Sequence, residues 1–258
     1  MKSKSGRAAP EPEELVYGRQ SVLEALKYQR LHQVYVLEGQ RGAVINDIVS
    51  LARQKRVPLA FVSPNEFKAL VNEVQGHQGV AALSPPFRYL TFDQLIQSAR
   101  ADSQAPFFLL LDHLQDPQNF GSIIRTADAA GLDGLIIPRP RAVKVTPAVR
   151  KVAAGAVERI RIALVNNLAR AIEQLKQEGF WIYGAEADGE EPYYNLDYSG
   201  PLALVVGSEG RGLSRLVRRH CDRTVYIPMQ EKAASLNVAV ASAVLVYAAL
   251  ARRQGWGN

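Results

Sequence analysis

Phe107–Gly131 reads FFLLLDHLQDPQNFGSIIRTADAAG. An apolar run from Phe107 to Leu111 stops at Asp112. A polar loop with Pro117 and Asn119 follows, and then a helix that opens near Gly121 and carries Arg125 one turn in. A short, continuous apolar run is what a strand buried on both faces requires, as in a parallel sheet covered by helices. In open sheets of that kind ligands sit beyond the carboxyl ends of the strands, so the loop after Asp112 is where a site belongs. Taken alone, Asn119 serves equally well as a turn residue and Arg125 as a solvated helix charge.

The same pattern repeats downstream. GLIIP, RIALV, FWIYGAE, LALVVG and TVYIP are apolar runs separated by helical stretches such as AVRKVAAGA and NLARAIEQLKQEG. Strands alternating with helices predict an α/β domain with a mainly parallel sheet. In LALVVGSEGRGLSRLV a strand runs into Gly207-Ser208-Glu209-Gly210-Arg211-Gly212. The glycine order is G-x-x-G-x-G and not the G-x-G-x-x-G of dinucleotide binding, which disfavours a dinucleotide-dependent oxidoreductase. An acid such as Glu209 between glycines at a strand end has no packing task. In VYIPMQEKAASLNVAV, Ile227-Pro228-Met229 ends a strand and Ser235-Leu236-Asn237 opens the last helix, with Ser235 a candidate N-cap. That helix is apolar on nearly every side and is predicted to be buried all round, by the domain core or by a second subunit.

Upstream, Val16–Leu83 reads as a small α/β unit. Helical spacing in SVLEALKYQ and AVINDIVSLARQKR alternates with the strand-like QVYVLE, PLAFV and GVAAL. In SPNEFKALV, Ser63 is the N-cap, Pro64 the first helical residue and Glu66 the third member of a capping box. The expected organisation is a polar, disordered tail at 1–13, a first unit at 14–86, a linker at 87–105 that holds the helix-like TFDQLIQSAR, and a larger domain at 106–258.

Net charge of +6 and a pI near 9.5 point to a partner rich in phosphate. The segment PRPRAVKVTPAVRK holds Arg139, Arg141, Lys144, Arg150 and Lys151 with no acid, as an RNA-backbone contact would. A single cysteine excludes an internal disulfide and a cysteine-rich zinc site, and the four histidines lack ligand spacing, so no metal is expected. The first residues lack the apolar core of a signal peptide. The most hydrophobic stretch, Val238–Ala251, is shorter than the roughly 20 residues that span a bilayer. The expectation is a cytoplasmic protein with no membrane partner.

NFGSIIRTA (Asn119–Ala127), GSEGRGL (Gly207–Leu213) and the pair IPM and SLNV (Ile227–Met229, Ser235–Val238) together resemble the three motifs of the SpoU, or TrmH-type, RNA 2′-O-methyltransferases, in order and spacing. The resemblance covers about Phe107 to Arg253. The preceding unit, from YGRQSVLEAL to HQGVAAL, is similar to the L30e-like substrate-binding domain of a subgroup that methylates a guanosine ribose of 23S rRNA. The resemblance implies a trefoil knot in the C-terminal domain, which runs against the general scarcity of knotted chains. It also implies a homodimer through that domain, S-adenosylmethionine as methyl donor, and RNA, ribosomal above all, as substrate.

Carried over by position, the resemblance gives catalytic roles to Asn119, Arg125, Glu209, Ser235 and Asn237. Gly207, Ile227 and Leu236 would hold S-adenosylmethionine largely through their backbone, with Pro228 and Met229 completing the pocket wall. Ala239 departs from the family where serine is frequent, and Phe120 and Ser122 vary within the first motif. The family assigns hydroxyl activation to Arg125. Arginine stays protonated, so stabilisation of a developing alkoxide is the expected role, with Asn119 and Glu209 holding Arg125 and the ribose in place. Two alternatives stand beside this reading: the same chemistry on transfer RNA, and a non-catalytic RNA-binding protein of ribosome assembly.

Overall fold

The protein is described by a computed structural model covering residues 13–28, 31–72, 76–140, 143–230 and 235–256. The expected tail falls almost wholly outside these residues, and Arg141 lies outside them too. The chain divides into two units, Met1–Arg88 and Tyr89–Asn258.

In the first unit β1 (Glu14–Tyr17), α1 (Arg19–Tyr28), β2 (Gln33–Leu37), α2 (Ala43–Gln54), β3 (Leu59–Val62), α3 (Pro64–Val71) and β4 (Val80–Ser84) follow in order. The sheet order is β1-β4-β2-β3, with β4 antiparallel to both neighbours and β2 parallel to β3. Alternate residues of β2 divide between two cores. Val34 and Val36 pack with Leu26, Ile45 and Ile48, whereas Tyr35 and Leu37 pack with Phe67 and Val71. The predicted capping box opens α3: the Ser63 hydroxyl accepts from Glu66 N, and the Glu66 carboxylate takes the Ser63 N–H at 2.9 Å.

The second unit begins earlier than expected. Phe92–Asp102, inside the presumed linker, forms a helix, α4, which starts with its own capping box between Thr91 and Gln94. Leu95 and Ala99 of α4 are fully buried in the core of this unit, so the helix belongs to the domain. Then come β5 (Phe107–Leu111), α5 (Pro117–Ala129), β6 (Gly134–Pro138), α6 (Pro147–Ala153), β7 (Ile162–Val165), α7 (Leu168–Gln177), β8 (Trp181–Ala185), β9 (Glu191–Pro192), β10 (Leu202–Val206), α8 (Arg215–His220), β11 (Arg223–Tyr226) and α9 (Val238–Gln254).

The sheet order is β7-β6-β5-β10-β8-β11-β9, and every pairing is parallel. This is the α/β architecture that the apolar runs predict. Because side chains alternate along a strand, Phe108 and Leu110 enter the core under α4, α7 and α8. Leu109 and Leu111, also fully buried, face the opposite way. Each such side chain contributes about 1.5–3 kcal/mol by leaving water.

Helix α9 departs from its prediction. It packs on α5 and β10 through one face, with Val238, Ser242, Leu245, Val246 and Ala249 buried. The Ser242 hydroxyl donates to Val238 O at 2.7 Å, which satisfies the one polar group of that face. The other side remains open in the single chain: Val240 is 49% exposed and Tyr247 42%. No helix among the described residues is long and apolar enough to cross a membrane.

Candidate active site

The carboxyl ends of β5, β8, β10 and β11 converge, and the three motif segments meet there. After β5, Asp116 caps α5, its carboxylate accepting from Gln118 N at 3.2 Å and Asn119 N at 3.0 Å, and Pro117 occupies the first helical position. The helix therefore starts four residues before Gly121, and Asn119 sits in its first turn, not in a preceding loop. The Asp116-Pro117 pair is the helix-start signal that locates it.

After β10 the chain folds tightly on itself. Gly212 N donates to Ser208 O at 3.1 Å, and the two residues form an isolated bridge. A Cβ on Gly207 would stand 2.1 Å from the Gly212 carbonyl group, so only glycine permits this closure. Gly212 has φ +62°, the left-handed region that glycine enters freely.

The turn carries Glu209 to a three-residue cluster. Glu209 Oε1 accepts from Asn119 Nδ2 at 3.1 Å, from Asn237 Nδ2 at 2.6 Å and from Val238 N at 3.4 Å. Asn237 Nδ2 also donates to Asn119 Oδ1 at 2.9 Å. Asn237 is the N-cap of α9, with Oδ1 accepting from Ala239 N at 2.9 Å and Val240 N at 3.3 Å. Ser235, expected as the candidate cap, instead lines the adjacent cleft. An asparagine at this position both starts the helix and ties its start to the other two motifs.

The cleft holds about 470 Å³, within the range of small-molecule sites. Gly207, Ile227, Met229 and Leu236 line it, together with Ser235, Glu209 and Glu186. Pro228 is exposed and is not among the lining residues. Behind the cleft, Cys221 packs against Gly184, and burial pushes its thiol up to about 12. A thiol held protonated in this way is no nucleophile at neutral pH.

Arg125 lies elsewhere on α5. It is exposed, about 9 Å along the helix axis from Asn119, and makes no hydrogen bond or ion pair among the described residues. Asn119 and Glu209 hold each other and Asn237, not Arg125. Arg139, Lys144 and Lys151 are exposed as an RNA contact requires. Arg150 departs from that set: its side chain is 2% exposed and its Nη1 donates to Glu158 Oε1 at 2.6 Å. It belongs to the packing of α6, because a buried guanidinium must be paired.

Two carboxylates that the sequence reading passed over bear on the site. In the sequence Asp112 and Glu186 stand only as the polar ends of the runs FFLLLD and FWIYGAE. Asp112 Oδ2 accepts from Ser214 N at 2.7 Å, and Glu186 Oε1 accepts from Leu213 N at 2.8 Å. An acid directly after an apolar strand was the available signal.

A parallel sheet with a glycine-closed cleft and a polar cluster at its strand ends defines a ligand-binding α/β domain. Residues 106–247 match the SpoU rRNA methylase family, and residues 15–90 match a domain described as RNA 2′-O ribose methyltransferase substrate binding. The YacO protein of Bacillus subtilis, assigned to the TrmH family of tRNA/rRNA methyltransferases, is 39% identical over 94% of this chain and 97% of its own length. The AdoMet complex of the SpoU methyltransferase AviRb from Streptomyces viridochromogenes superposes with a TM-score of 0.76 at 25% identity, over 94% of this chain and 91% of that one. The TrmH/SpoU tRNA-modifying enzyme of A. aeolicus gives 0.55 at 27% identity, covering 64% of this chain and 85% of its own. The chain belongs to the SpoU rRNA methylase family and is an RNA methyltransferase.

Proposed function

We propose that the protein transfers a methyl group from S-adenosylmethionine to a ribose 2′-hydroxyl of ribosomal RNA, at a guanosine of the 23S molecule. The methyltransferase activity and its donor follow from the family. The ribosomal target is the further step. The observation that carries the reading is the hydrogen-bonded cluster of Asn119, Glu209 and Asn237 at the edge of the cleft. It gathers one polar residue from each motif at the place where a donor and an acceptor would meet.

The cleft fits the donor. Its walls are mostly apolar, as an adenine ring requires, and the absence of a side chain at Gly207 lets the turn close at the cleft's edge. Gly207, Ile227 and Leu236 would hold S-adenosylmethionine through their backbone, with Met229 beside them. Bound there, it supplies an electrophilic methyl group.

The chain's own residues then have to place and activate the hydroxyl. Asn119 and Asn237, fixed by Glu209, present a rigid polar edge to the ribose, and positioning of this kind lowers the barrier without any covalent step. Ser235, on the cleft wall, adds a hydroxyl to that edge. Arg125 stays protonated, so it cannot serve as a base. Its exposed guanidinium, about 9 Å along α5 from Asn119, binds a backbone phosphate of the incoming RNA and so holds the ribose at the cleft.

The first unit, residues 14–86, supplies RNA recognition in this account, and Arg139, Arg141, Lys144 and Lys151 add backbone contacts. The appended unit favours ribosomal over transfer RNA, because the tRNA-modifying enzyme of A. aeolicus aligns with only 64% of this chain. Cytoplasmic action follows from that substrate. The trefoil knot is what the family resemblance implies for this domain, in which Asn237 holds the last segment against the Gly207–Gly212 turn. Exposed Val240 and Tyr247 on α9 support a homodimer through that helix. Sedimentation of Val240→Glu as a monomer would agree with the dimer, and an unchanged mass would refute it.

The direct assay offers purified protein and labelled S-adenosylmethionine to 23S rRNA and to total tRNA. Label on the 2′-oxygen of a 23S guanosine is expected. Label on tRNA alone would overturn the ribosomal assignment.

A further inference from the structure

The Gly207–Gly212 turn hangs from the middle strand of three. β5 and β8 flank β10 in the sheet, and each is followed at once by a carboxylate, Asp112 and Glu186. These two reach inward from both sides to consecutive main-chain amides just past the turn: Asp112 Oδ2 takes the Ser214 N–H at 2.7 Å, and Glu186 Oε1 takes the Leu213 N–H at 2.8 Å.

Both acids are tightly held themselves. Asp112 is 1% exposed, and its other oxygen meets His113 Nδ1 at 2.5 Å. His113 has φ +60°, a left-handed conformation that is uncommon for a residue with a side chain. The Glu186 main chain is pinned by its own N–H donating to Val225 O at 2.9 Å. Its Oε2 stands 2.4 Å from where a Cβ on Gly212 would lie, so the carboxylate and the glycine interlock. Burying a carboxylate is unfavourable, and charge-assisted bonds to backbone amides are what offset that cost. Neither acid is needed to end its strand.

We propose that Asp112 and Glu186 are positioning residues that clamp the Gly207–Gly212 turn from both neighbouring strands, and thereby set the donor cleft and the Glu209 carboxylate in their working arrangement. The proposal rests on the reading of the cleft as the S-adenosylmethionine site. It assigns neither acid to the reacting atoms; Glu186 also lines the cleft, so amide exchange in the free protein, and not donor affinity alone, separates the clamp from a direct contact with the donor. The clamp acts on the free protein, so its effect precedes any ligand.

The test uses the full-length protein with Glu186→Ala, Glu186→Gln and Asp112→Asn. Calorimetry with S-adenosylmethionine should show affinity weakened about 10- to 100-fold in Glu186→Ala, the range for lost supporting contacts, and by no more than about 3-fold in Asp112→Asn, whose amide oxygen can still accept the Ser214 N–H. Glu186→Gln should return to within about 3-fold of the parent, because its amide oxygen can still accept the Leu213 N–H. Affinity for a 23S rRNA transcript should not move. Without ligand, amide exchange at Leu213 and Ser214 should quicken in Glu186→Ala, a change that loss of a direct ligand contact would not produce. A folded Glu186→Ala with parental donor affinity and parental exchange overturns the clamp, and this variant decides the matter if Asp112→Asn fails to fold. A parental protein that binds no S-adenosylmethionine would instead overturn the reading of the cleft, and this inference with it.

Discussion

Glu209 Oε1 accepts the side-chain N–H of Asn237 at 2.6 Å, joining the turn after β10 to the residue that caps α9. The same oxygen receives Asn119 Nδ2, so one carboxylate organises all three motifs. Glu209→Gln removes the charge from the oxygen that accepts all three bonds, and charge-assisted bonds are roughly twice as strong as neutral ones. The expected result is a fall in methyl transfer of about 100-fold, the scale for losing a fixed polar contact in a catalytic site. The melting temperature should shift little, since the cluster is largely exposed. Initial rates together with a thermal scan would check this. Full turnover in Glu209→Gln would remove the cluster from the mechanism.

Arg125 stands apart from that cluster, and its role differs accordingly. Arg125→Lys should lower turnover by at least about 10-fold, because lysine lacks the planar fork that grips a phosphate. Donor affinity should be unaffected, as Arg125 is not among the residues lining the cleft. Single-turnover rates alongside calorimetry separate the two effects, and parental turnover in the lysine variant would contradict the assignment.

The basic segment divides under substitution. Neutralising Arg139, Lys144 and Lys151 should weaken binding to every RNA sequence alike and reduce the salt slope by about one unit per residue. Arg150→Gln should leave RNA binding alone and lower the melting temperature. It removes the guanidinium from a buried carboxylate, Glu158, and breaking a buried pair costs roughly 3–5 kcal/mol. A filter-binding salt series and calorimetric melting would tell these outcomes apart. An Arg150→Gln variant that loses only RNA affinity would reverse them.

Cys221 gives a pH signature. Its thiol is raised to about 12 in the folded state, chiefly by burial, from an ordinary value near 9. The folded form thus keeps a proton that the unfolded form releases first, and stability should decline as pH rises from about 9 toward 12. The Cys221→Ser variant should lack this component of the alkaline decline. In the native protein at pH 8, a disulfide reagent should titrate no thiol within minutes, and rapid labelling would contradict the burial of this side chain.

The fold was legible because β5, β6, β7, β8 and β10 are unbroken apolar runs, which only a doubly covered sheet accommodates. Glu209 was legible because it has no packing reason to be where it is, whereas Asn119 alone reads as a turn residue and stands out only beside the other two motifs. Other features depend on contacts that no sequence spacing reports. Arg150 reads like its exposed neighbours until Glu158 is found beside it. The clamping by Asp112 and Glu186 depends on β10 lying between β5 and β8, an order that the chain sequence does not follow. The linker expected at 87–105 was a misreading of available information: Thr91 and Gln94 form the same capping signal that correctly placed α3. The apolar surface of α9 announces that something covers it, but composition does not say how much of that cover lies within one chain.

Mapping 2′-O-methylation across 23S rRNA, in a strain lacking the gene and in the same strain carrying the parental gene or its Glu209→Gln form, tests the central claim most directly. The account predicts one guanosine that loses its 2′-O-methyl group on deletion, regains it with the parental gene, and stays unmodified with the variant. A 23S methylation pattern identical in all three strains would contradict it.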